Sequence, residues 1–110
     1  MVCESHQVLL ALRAASASVA DLTAMKVHAN ASRGAARDFW DLHTLIRRRD
    51  VGLADAIAEH SERYSGEDPG HVLRSLAYFG DAEAGPLPRG LDPASWAEMC
   101  ADFERWVLTV

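Results

Sequence analysis

The sequence predicts an all-α bundle of about five helices, with one short N-terminal strand left open. Three observations lead there. Apolar residues recur at the i, i+3, i+4, i+7 spacing of a half-buried helix in one segment after another. Serine or aspartate, twice followed at once by proline, stands where those segments begin. Glycines and a proline-rich stretch separate them. At 110 residues, 49% hydrophobic and 25% charged, the chain suits a single domain over 1–110 and is too apolar to be disordered.

The elements follow in order. His6 to Leu12 reads either as a short strand or as an irregular apolar lead-in. Ser16-Ala17-Ser18 marks a turn, and Ser18-Val19-Ala20-Asp21 matches the capping box that opens a helix. That helix places Leu22, Met25 and Ala29 on one face, and Gly34 stands where it should end. A second helix, from about Ala35 to Arg48, carries Phe39, Leu42 and Ile46, widened by Leu45 and Trp40. Arg47-Arg48-Arg49 suit its C-terminus, where cations oppose the helix dipole. A third, from about Leu53 to Arg63, turns Leu53, Ile57, Ala54 and Ala58 inward. Asp68-Pro69 caps a fourth, with Val72, Leu73, Leu76 and Phe79 as its buried face. Gly80 to Gly90 is the extended loop. Asp92-Pro93 opens the last helix, where Trp96, Met99, Cys100, Phe103 and Val107 form the cleanest apolar stripe. Trp40, Trp96 and Trp106 lie beside other apolar residues and read as packing groups rather than base-stacking platforms.

Several functions are excluded. The longest strongly apolar run, Val8 to Leu12, falls far short of a membrane span of about 20 residues. The start carries Glu4 and no basic region, which argues against a secretory signal and for a cytoplasmic protein. Cys3 and Cys100 read as a reduced pair, and five scattered histidines show no metal-type spacing, so no metal site is expected. The net charge is -5, but residues 1–50 carry seven Lys/Arg against five Asp/Glu, and residues 51–110 carry four against eleven. Such a chain is a poor general nucleic-acid binder, and any anion site belongs in the first half.

That half holds the chemistry. On an unbroken helix Lys26, Asn30, Arg33 and Arg37 fall within about 60° of one another, away from Leu22 and Met25. Three cations and an amide can hold a polyphosphate; the same residues also suit a simply solvated face. A break at Gly34 would re-aim Arg37. Asp38 and Asp41 then stand at i, i+3, as caps, as salt-bridge partners of Arg33 or Arg37, or as a two-carboxylate metal site.

Asp21-Leu22, Ala24-Met25-Lys26, Arg33-Gly34 and Arg37-Asp38-Phe39-x-Asp41-Leu42 together resemble the D-L-x-A-M-K…R-G-x-[KR]-[KR]-D-F-x-D-L block. That block is typical of the AbiEii/AbiGii nucleotidyltransferase toxins. The downstream pieces are similar too: Tyr64, His71-Val72-Leu73-Arg74-Ser75-Leu76-x-Tyr78-Phe79, Asp81-Ala82-Glu83 and Pro86-Leu87-Pro88. The likeness runs from about Leu12 to the C-terminus. It implies the toxic half of a bacterial toxin–antitoxin or phage-defence pair. In that family an N-terminal polymerase-β-like domain holds Mg²⁺ through an Asp-x-Asp pair, and the helical half completes the site. Lys26 is then the nucleotide-phosphate contact, with Arg33 and Arg37 beside it. Asp38 is the later acidic site residue, and Asn30 and Asp41 are supporting members.

No glycine-rich turn with an Asp-x-Asp pair stands in these residues. The resemblance therefore implies a C-terminal half, truncated, split or excised, that binds Mg²⁺-nucleotide without needing a cofactor and does not catalyse alone. The implied partners are an antitoxin, a separately encoded catalytic half or a second copy. The alternative is a protein–protein interaction module; a third reading is a weak metal-dependent enzyme acting through Asp38 and Asp41.

Overall fold

A computed structural model describes residues 2–14 and 18–110, and among them the chain is all-α. Seven helices follow one another: α1 (His6–Ala14), α2 (Val19–Ser32), α3 (Ala36–Arg49), α4 (Leu53–Arg63), α5 (Pro69–Ser75), α6 (Gly80–Glu83) and α7 (Pro93–Val107). None is long and apolar enough to cross a membrane. The turn expected at Ser16-Ala17-Ser18 lies, apart from Ser18, outside the described residues.

The first segment is a helix and not a strand. Its sequence is rich in Gln, Leu, Ala and Arg, which favour helix over strand. A strand would also need a partner to satisfy its backbone, and there is none among the described residues. Ser5 opens α1, its carbonyl accepting from Leu9 N at 3.1 Å.

The expected caps form where serine and aspartate stand. Ser18 Oγ accepts from Asp21 N at 3.0 Å, Asp68 from Gly70 N at 3.1 Å and Asp92 from Ser95 N at 2.6 Å. α3 is the central helix: Ala36 and every residue from Asp38 to Ile46 are buried. Around it α7 contributes Trp96, Met99 and Phe103, as its stripe predicts. Phe39 meets Phe79, Trp96 and Phe103 with ring centroids 5.2, 5.8 and 5.3 Å away, tilted or edge-on. Trp40 Nε1 donates to the Cys3 carbonyl at 2.8 Å and so fastens the N-terminal segment to α3.

Two faces differ from expectation. α2 buries Thr23, Ala24, Val27 and Asn30, while Met25 is 43% exposed. Because α2 packs between α3 and α4, its inward face is set by two neighbours and passes through small and polar residues. α4 buries Leu53, Ala56 and His60, with Ile57 only partly covered and Ala54 and Ala58 exposed. α5 stops at Ser75, earlier than the apolar pattern implies, though Phe79 still reaches the core. A four-residue turn of helix, α6, interrupts the expected loop.

Candidate functional site

The polar block is built at the joint between α2 and α3. Gly34 there has φ of +66°, a conformation that favours glycine, and lets the chain reverse within a short link. The reversal lays the end of α2 against the start of α3. Arg33 then grips Asp38 with two parallel bonds, Nη2 to Oδ1 at 2.5 Å and Nε to Oδ2 at 3.1 Å. Asp38 Oδ2 also accepts from Ala35 N at 3.0 Å, so the same carboxylate caps α3. One turn on, Lys26 Nζ lies 3.1 Å from Asp41 Oδ2. Asp41 Oδ1 accepts from Ser5 Oγ at 2.5 Å, which ties α1 into the same joint.

Both carboxylates are buried, and both cations reach outward. Arg33 is 66% exposed and Lys26 29% exposed along their side chains. A guanidinium has five N–H donors and an ammonium three, so neither cation is exhausted by its carboxylate. The paired Asp38 holds Arg33 above its ordinary range, firmly charged. Asn30 stands between them on α2, 1% exposed, with neither amide atom hydrogen-bonded among the described residues. It lines a groove of about 410 Å³ with Arg33, His71, Arg74, Tyr78 and Asp81.

The structure thus brings together Lys26, Asn30, Arg33, Asp38 and Asp41. Arg37 is turned elsewhere: past the Gly34 reversal it lines a separate groove with Asp81 and the stretch from Gly85 to Pro88. Sequence reasoning missed Ser5, because the segment it opens reads as a strand or an irregular lead-in and not as the helix it forms. It also missed Arg74, which α5 brings to the Asn30 groove from a distant stretch of chain.

The family profile described as nucleotidyl transferase AbiEii toxin, type IV toxin–antitoxin system, matches residues 11–108. The chain belongs to the AbiEii nucleotidyl transferase toxin family. An uncharacterized protein of Aquifex aeolicus (strain VF5), aq_aa25, is 32% identical over 87 residues, covering 79% of this chain and 41% of that relative. The chain therefore spans less than half the length of this relative. No solved structure matches this chain.

Mg²⁺, which AbiEii chemistry implies, does not fit the carboxylates present here. Asp38 and Asp41 are each taken up by a cation and by a second donor, an arrangement that cancels the charge a hard divalent ion needs.

Proposed function

We propose that this chain is the phosphate-holding helical part of an AbiEii-type nucleotidyl transferase, keeping a nucleotide-facing surface around Lys26 and Arg33 and not transferring nucleotides with these residues alone. The arrangement of the α2–α3 joint carries this reading. Two buried carboxylates hold two outward-reaching cations in place, with donors to spare, and Arg33 lines the groove that Asn30 also lines. In this reading Asp38 and Asp41 are positioning residues: they fix Arg33 and Lys26, and the phosphates of a Mg²⁺-nucleotide meet the cations. Arg37 acts outside this surface, at the neighbouring groove. Nucleotidyl transfer needs metal-clamped phosphates and an activated attacking group; those come from a catalytic half that docks on this one. An antitoxin is the second partner, and the working compartment is the bacterial cytoplasm.

Calorimetric titration with Mg²⁺-nucleotides tests this. We expect saturable binding that weakens by about tenfold or more in Lys26→Ala and in Arg74→Ala, each removing one charged contact. Arg74 is exposed and 3.9 Å from Asp68, so its loss leaves the fold intact. No saturation at millimolar nucleotide, or equal binding by both variants, overturns the reading.

A docking module is the second reading, favoured by the exposed apolar side chains Leu10, Val19 and Met25 on α1 and α2. Light scattering over a concentration series tests its self-association form: a strictly monomeric particle rejects it.

A further inference from the structure

Two histidines and a glutamate that sequence spacing leaves unrelated meet on the face of the molecule formed by α2 and α4. His60 comes from the last turn of α4, whose carbonyl accepts from Tyr64 N at 2.8 Å. Glu67 N then donates to the Tyr64 carbonyl at 3.0 Å, and this turn carries Glu67 back over the end of α4. His28 reaches the same point from α2. Its Nδ1 contacts Glu67 Oε1. His60 Nε2 lies 3.3 Å from Glu67 Oε2. The three donor atoms fall within 4.8 Å of one another.

We propose that His28, His60 and Glu67 bind a divalent transition-metal ion of the zinc class. Four observations carry this. His60 is 1% exposed, and its Nε2, at ion-pair distance from Glu67, has no well-formed hydrogen bond among the described residues. A buried ring nitrogen without a well-formed hydrogen bond is costly, and a cation held jointly by it and Glu67 satisfies it. The spacing is near what the ion needs: Zn–N and Zn–O bonds of about 2.0–2.1 Å place tetrahedral ligand atoms about 3.3 Å apart. The rings are already held in orientation. Tyr64 stacks against His28 at 4.2 Å, nearly parallel, and against His60 at 5.1 Å. Finally, the donor set is selective, since imidazole nitrogens with one carboxylate suit zinc and its neighbours, whereas magnesium and calcium take oxygen.

Three protein ligands leave a fourth position. It opens to solvent, because His28 is 41% and Glu67 28% exposed along their side chains. A bound ion pins α2 to α4 and to the turn that follows α4. The expectation of no metal rested on spacing along the chain, and spacing does not see ligands drawn from two helices and a turn.

Zn²⁺ alone, titrated into the full 110-residue chain in competition with a chromophoric chelator, tests the proposal. One equivalent is expected to bind, and thermal unfolding should shift upward with added Zn²⁺. His28→Gln and Glu67→Gln, at partly exposed positions, should each weaken binding by about tenfold or more. Their metal-free melting temperatures should stay near that of the parent, so lost binding is not lost folding. His60→Gln is the less safe variant because its site is buried. Absence of stoichiometric binding overturns the proposal. So does binding that both exposed-site variants retain, which would place the ion on other donors such as Cys3 or His6.

Discussion

Asn30 has both amide atoms buried and unpaired at the middle of the polar stripe of α2. A helix position that packs against two neighbours would be better filled by an apolar group of the same size. Replacing an unsatisfied buried amide with Leu removes a desolvation penalty of about 1–3 kcal/mol. Asn30→Leu is therefore expected to raise the urea midpoint. If the amide instead serves a phosphate in the groove, the same variant binds Mg²⁺-nucleotide more weakly. A drop in stability would mean that the amide is satisfied in solution. Asp38 and Asp41 are the opposite case: each is buried, and each has its charge answered by a named cation and a named donor. The spacing of Arg33, Asp38 and Asp41 admitted several pairings. Only the Gly34 reversal decides that Arg33 takes Asp38 and leaves Arg37 outside.

At the scale of the element, the α2–α3 joint depends on one backbone conformation. An added methyl at Gly34 meets nothing closer than the Asn30 carbonyl oxygen at 3.5 Å, so the obstacle is φ and not space. Gly34→Ala is expected to cost about 1–2 kcal/mol through the left-handed backbone. It should also loosen the Arg33–Asp38 grip. Denaturant unfolding checks the first effect, and nucleotide titration the second; unchanged stability would show that the link tolerates another conformation. The starts of α2, α5 and α7 are readable from residue type, because Ser18, Asp68 and Asp92 cap by local geometry alone. α1 was less so. Its apolar run is too short to separate a period of two from a period of 3.6.

For the molecule as a whole, acid is the weak direction. His43, on α3, places Nε2 2.8 Å from Asp102 of α7, which also contacts Arg105. Burial holds the His43 imidazole below its ordinary range, and Asp102 only partly offsets this, while Arg47 adds to it. The native chain thus binds fewer protons than the unfolded one in that window, so stability rises with pH there. The contribution is complete above the unfolded imidazole value of about 6.5 and is lost as pH falls through that value toward the folded one. Burial pushes the Asp102 carboxyl up, but bonds from His43 and Arg105 more than reverse it, leaving it below its ordinary range. Its share is retained to lower pH and lost only below about 4. The melting temperature is expected to fall between about pH 7.5 and 5, and less steeply in His43→Gln. A rise on acidification would contradict this.

Helical class, the caps, the breaks at Gly34 and at the proline-rich stretch, and the stripe of α7 were all determined by the sequence. Each arises from interactions within a few residues, which composition and period record directly. The residue block that marks the AbiEii family was legible for the same reason, being nearly contiguous. The tertiary structure alone decided which cation answers which carboxylate, that Ser5 and Arg74 join the polar surface, and that Thr23 and Asn30, not Met25, face inward on α2. It alone brought His28, His60 and Glu67 to one point. Those features depend on how whole helices cross, and a crossing is set by the summed packing of distant side chains that no local pattern contains.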